Sequence, residues 1–164
     1  MLSDSPGNQG VKMGILYHID KEMGIAFTVW EGAVTEQEQM AHLNRIAADP
    51  SWSVKNRLLL VDLRTTNAYK NFDETTLKRV VAYLSERRAN IANMKIAIVA
   101  HEAYEMSNLF QRLVKIFPLT VIVFNDLHTA CTWLGMDAGK AEHTLQQLRS
   151  KLREGSSQEK TGGK

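Results

Sequence analysis

The sequence predicts an α/β fold: a five-stranded mixed sheet that opens with an antiparallel hairpin, continues in parallel, and carries crossover helices and a C-terminal helix. Three observations predict it. A short apolar run followed by an amphipathic stretch occurs four times between residues 24 and 134. The runs 13–20 and 24–33 are joined by Lys21-Glu22-Met23-Gly24, a short Gly-containing connection of the hairpin kind. Leu58 to Val61 and Ile96 to Ala100 are apolar throughout, as strands covered on both faces are.

Taken in order, residues 1–12 are rich in Ser, Gly, Asn and Pro and are expected to be disordered. Met13 to Asp20 reads as the first strand, with Ile15, Tyr17 and Ile19 alternating with Leu16, His18 and Asp20. In the second strand Ile25, Phe27 and Val29 share one face, and Trp30 falls on the other. Thr35 and Glu38 form a T-x-x-E capping box that starts the first helix, and Met40, Leu43, Ile46 and Ala47 share its inner face. Asp49-Pro50 ends it, because a residue before Pro avoids the helical region. The third strand spans 57–63 and is closed by Asp62. Arg64 to Phe72 is then the longest irregular stretch of the body, the kind of loop that carries function. Asp73 caps a second helix, in which Leu77, Val80, Val81 and Leu84 repeat at helical spacing. A strand at 94–100 leads into a third helix with Met106, Leu109, Phe110, Leu113 and Val114 on one face. Pro118 breaks that helix before a strand at 119–124. Asn125-Asp126 caps a short helix ending at Gly135, whose inner face is Leu127, Ala130, Cys131 and Leu134. Residues 13–135 thus form one domain. A C-terminal amphipathic helix at 136–154 carries Leu145, Leu148 and Leu152, and the Gly/Ser/Lys-rich tail 155–164 is expected to be disordered.

The net charge of +2 conceals a division. Residues 138–164 hold six Lys/Arg against three Asp/Glu, and the rest of the chain holds 14 against 15. The body lacks the basic face of a nucleic-acid binder. No apolar run reaches the roughly 20 residues of a membrane span, and MLSDSPGNQG has no secretory pattern. A single cysteine, Cys131, allows no internal disulfide, so a reducing, cytoplasmic setting is expected. The histidines at 18, 42, 101, 128 and 143 form no H-x-x-x-H and no zinc spacing with Cys131, and no Gly-rich phosphate loop is present; no metal or cofactor is expected.

The ordered motifs carry a resemblance. Val29-Trp30-Glu31-Gly32-Ala33-Val34-Thr35 enters the first helix, and Asp49-Pro50-Ser51-Trp52 leaves it. Leu60-Val61-Asp62-Leu63-Arg64 ends the third strand, and Val123-Phe124-Asn125-Asp126 through Ala130-Cys131-Thr132-Trp133-Leu134 ends the ladder. Over residues 13–135 the chain resembles the SpoIIAA-like superfamily of bacterial proteins, which includes the STAS domains. The resemblance implies a βα superhelix with its helices mainly on one sheet face. The other face would then need cover, from the C-terminal helix or from a second copy. In the best-known members, a Ser or Thr at the start of the helix after the third strand is phosphorylated, which maps onto Thr75. Here the Gly of that turn is missing, and Asp73 and Glu74 would repel a phosphate. Distant relatives of this superhelix bind lipids or other apolar molecules.

Candidate sites follow from the fold. Ligands of open α/β sheets gather outside the carboxyl ends of the strands. That edge would carry Asp62, Arg64, Thr65, Thr66, Asn67 and Tyr69, with His101, Glu102 and Tyr104 beside them. The simpler reading makes Asp62 a loop anchor, Asp126 a cap and Arg64 the partner of a carboxylate. Trp30, Met106 and Phe110 could instead line an apolar pocket. The first functional expectation is a non-enzymatic regulatory or protein-interaction module of the STAS-like type, with a protein partner or self-association. The alternative is a carrier or sensor of a small apolar ligand or lipid. The third is a hydrolase-like enzyme using His101 and Glu102.

Overall fold

The computed structural model describes residues 12–52 and 57–161. The expected hairpin opens it: β1 (Lys12–Asp20) and β2 (Ile25–Gly32) pair antiparallel with Asp20 opposite Ile25. Gly24 closes the turn at φ 68°, a left-handed conformation that costs glycine little. β3 (Leu58–Thr66), β4 (Lys95–Ala100) and β5 (Thr120–Phe124) then add in parallel, in the order β1-β2-β3-β4-β5.

Every crossover steps in the same direction, so the connecting helices share a face. These are α1 (Glu36–Ala48), α2 (Glu74–Ser85), the four-residue α3 (Arg88–Ile91) and α4 (Tyr104–Leu113). The capping box of α1 is formed in both directions: Glu38 N–H donates to Thr35 Oγ1 at 3.2 Å and Thr35 N–H to Glu38 Oε2 at 2.7 Å. Asp73 Oδ1 caps α2 by accepting from Thr76 N–H at 2.9 Å.

The second face is covered from within the chain. α5 (Leu127–Leu134) and α6 (Ala138–Thr161) place Leu127, Cys131, Leu145 and Leu148 against Ile25, Phe27, Val29 and Leu60. These residues are nearly or fully buried, and each such side chain is stabilised by about 1.5–3 kcal/mol relative to exposure. Trp30 falls on the opposite face, in the cluster with Leu63, Phe72, Leu77 and Ile98. Buried Cys131 behaves as a small hydrophobe, and burial pushes its thiol up to about 11.

Two boundaries differ from expectation. β3 runs three residues past Leu63, because an irregularity between Val29 and Glu31 lets Thr65 and Thr66 pair with Glu31 and Gly32. The expected irregular stretch therefore shrinks to residues 67–73, which include a single helical turn at Ala68–Lys70. α6 continues to Thr161 through Gly155, where a tail was expected; an isolated helical glycine costs only about 1 kcal/mol. The expected disorder of residues 1–11 and 162–164 lies outside the described residues.

Candidate functional site

The strand-end residues divide into two groups. Asp62 is fully buried under α6, and Arg64 grips it with Nε at 2.9 Å from Oδ1 and Nη2 at 3.0 Å from Oδ2. Arg64 Nη2 also donates to Glu142 Oε2 at 2.8 Å. Arg149 adds a second guanidinium on Asp62 and lies 3.4 Å from Glu31 Oε2. Arg153 donates to Glu31 Oε1 at 2.9 Å, and Thr65 O–H donates to Glu31. The basic residues of the C-terminal helix thus neutralise two buried carboxylates of the sheet. Asp62 also accepts from the Arg64 backbone N–H at 3.0 Å, which anchors the strand end. Thr66 O–H donates to the Gly32 carbonyl at 2.7 Å and accepts from Ala68 N–H at 3.1 Å. Asn67 N–H donates to Gly32 at 3.0 Å. Asp62, Arg64 and Thr66 are therefore occupied in holding elements together, while Thr65 is bonded to Glu31 and remains exposed.

The other group stays at the rim. Tyr69 O–H donates to Glu102 Oε2 at 2.6 Å, and this hydrogen bond raises the Tyr69 phenol. His101 Nε2–H donates to the Asn125 carbonyl at 3.0 Å. His101 and Glu102 are both exposed and engage separate partners, so the expected acid/base pair is not assembled. Tyr104 packs half-buried against the first core cluster. Thr75 is exposed at the start of α2, where Asp73 already occupies a backbone N–H that a phosphate would seek.

A cavity of about 450 Å³ lies between the first sheet face and α1, α2 and α4. Trp30, Val61 and Ile98 form its floor, and Leu43, Leu77 and Phe110 rise as walls. Met106 and Trp52 line it further, so Trp30, Met106 and Phe110, expected to border a pocket, do meet on one. The void explains a burial pattern. Leu43, Ile46, Ile96, Met106 and Phe110 point inward but remain half-buried, since they face open space in place of packed atoms. No acidic residue lines it among the described residues. The one cation there among the described residues, Arg87, sits over the Tyr83 ring at 3.6 Å and donates to the Tyr83 carbonyl at 3.3 Å.

One corner is polar. Four buried side-chain atoms among the described residues lack a hydrogen-bond partner, and three of them belong to lining residues: Thr28 Oγ1, Gln39 Oε1 and His42 Nδ1. The fourth, Arg149 Nε, has the ion-pair contact already given. Burial holds His42 neutral by pushing its pKa down to about 4, and the nearby Arg45 charge adds to this. The sequence carried a signal for these residues. Thr28 is polar in the phase of Trp30, and His42 lies in the phase of Leu43 and Ile46. Compared with protein-family models, curated proteins and solved structures, the chain matches none. No helix among the described residues is long and apolar enough to cross a membrane, and no group of His, Cys, Asp or Glu among them is placed to hold a metal ion.

Proposed function

We propose that this protein is a carrier or sensor of a small apolar molecule, held between the sheet and helices α1, α2 and α4. The observation that carries the reading is the cavity itself. At about 450 Å³ it falls within the roughly 300–1,000 Å³ of small-molecule sites. Interiors normally leave few voids larger than a water. Ala47 and Asn90 in its lining are exposed, so the cavity opens to solvent and, when empty, leaves hydrocarbon walls in contact with water at about 25 cal/mol per Å². Water is a poor filler, since each needs two to four polar partners and the walls are mostly hydrocarbon. An apolar guest removes the cost, and the resemblance to a superhelix with lipid-binding relatives agrees with it.

The test is a native mass spectrum of freshly purified protein, paired with titration of the dye N-phenyl-1-naphthylamine. Extra mass lost on denaturation, or dye fluorescence abolished by Leu43→Trp with the fold intact, is the expected result. Bare protein together with no dye binding refutes the reading.

A regulatory or protein-interaction module of the STAS-like type is the second reading, supported by the rim of half-buried Tyr69 and exposed His101 and Glu102. Tyr69→Ala would then abolish partner capture and leave dye binding unchanged.

A further inference from the structure

We propose that the ligand bears a single uncharged hydroxyl group, seated at the corner formed by Thr28, Gln39 and His42. The inference rests on the carrier reading and adds the chemistry of the ligand's polar end.

Thr28 is 1% exposed and His42 5%, and their free atoms belong to residues lining the cavity. A buried polar atom left unpaired costs about 1–3 kcal/mol, so three at one site amount to a strong demand for a partner. Helix spacing and strand register place all three where α1 meets the hairpin. Gln39 and His42 are three residues apart on α1, which stacks them on one face. Thr28 stands opposite Tyr17 in the β1–β2 register, and the Tyr17 ring meets His42 edge-on at 5.6 Å. One aromatic ring therefore adjoins both the strand and the helix that supply the free atoms.

Charge decides the ligand class. Neutral His42 offers no positive charge, and Arg87 is engaged by Tyr83 and lies 3.6 Å from Glu86. A carboxylate or phosphate would thus be desolvated with no free cation among the described residues, against the lone pairs of Gln39 Oε1. An ammonium would find no carboxylate in the lining among the described residues. A hydroxyl has one donor and acceptor lone pairs. It can give its proton to an acceptor such as Gln39 Oε1 and receive one from Thr28 O–H. The remaining walls are mostly hydrocarbon, so the rest of the molecule is apolar.

The experiment compares 4-butylphenol, butylbenzene and 4-butylbenzoate as displacers of N-phenyl-1-naphthylamine from the full chain. We expect the phenol to bind roughly tenfold more tightly than butylbenzene, as one or two net hydrogen bonds provide, and the benzoate to bind most weakly. Thr28→Val and Gln39→Leu, each nearly isosteric, should weaken the phenol about fivefold and leave butylbenzene within about twofold. Equal affinity of phenol and butylbenzene, or tightest binding by the benzoate, overturns the hydroxyl assignment while the carrier reading stands. Failure of the dye and all three compounds to bind overturns both.

Discussion

Acid should destabilise this protein through one side chain well before its carboxylates titrate. His42 is packed between α1 and β1, with the Tyr17 ring edge-on and the Arg45 charge close by. Burial is the larger cause of its depressed pKa, about 4 against an ordinary 6.5, and Arg45 is the second. The sign follows from linkage. Between pH 6.5 and about 4 the unfolded chain binds a proton at His42 that the folded chain refuses, so stability falls as pH falls through that window. Above 6.5 both states are neutral and the contribution is complete. At about 1.4 kcal/mol per pH unit the loss amounts to roughly 3 kcal/mol by pH 4, a large share of a domain's margin. Asp49, Asp73 and Asp126 have pKa values lowered chiefly by backbone hydrogen bonds, so their contributions are lost only at lower pH. Urea unfolding of the wild type and His42→Leu at pH 7, 6, 5 and 4.5 measures the effect, with the variant nearly flat across the range. Parallel pH profiles for the two proteins, or a His42 ring that titrates near 6.5 by NMR, would refute the reasoning.

Two further outcomes concern stability. Asp62→Ala leaves two guanidinium groups under α6 with only Glu31 and Glu142 to pair with them, and should cost about 3 kcal/mol in urea unfolding; a loss below about 1 kcal/mol would mean the cluster is not buried as described. Gly135→Ala should cost about 1 kcal/mol from backbone strain alone, since Gly135 holds φ 76° and nothing lies within 4 Å of the added Cβ; a thermal midpoint unchanged from wild type would show that α5 can end another way.

Much of the fold is legible because its signals are local. Thr35 and Glu38 are three residues apart, and the caps at Asp73 and Asp126 each act on the next turn. The alternation of Ile25, Phe27 and Val29 against Trp30 needs only the period of a strand, and it sorts these residues correctly between the two faces. The site is less legible, for two physical reasons. A filled core and a hollow one use the same pattern: Leu43, Leu77 and Phe110 would be spaced identically in either. The charge cluster joins residues far apart in the chain, with Glu31 and Arg153 separated by 122 positions. No periodicity links such partners: the sequence offers the C-terminal helix as one of two covers for the open face, but not that its arginines meet Asp62 and Glu31. Tested for metal spacing, the histidines are uninformative. Judged by helical phase, His42 is the polar residue among apolar ones that marks the cavity corner.

The seating of α6 on β1 and β2 has a consequence for how the chain reaches its native state. The strands that form first during synthesis carry Ile25, Phe27 and Val29, and the residues that bury them, Ala141, Leu145 and Leu148, are made more than a hundred positions later. Long-range closure of this kind slows folding, and the waiting strands expose sticky surface meanwhile. A ribosome-bound chain halted before residue 138 should therefore be a client for holding chaperones, and release of the final helix should end that dependence in one step.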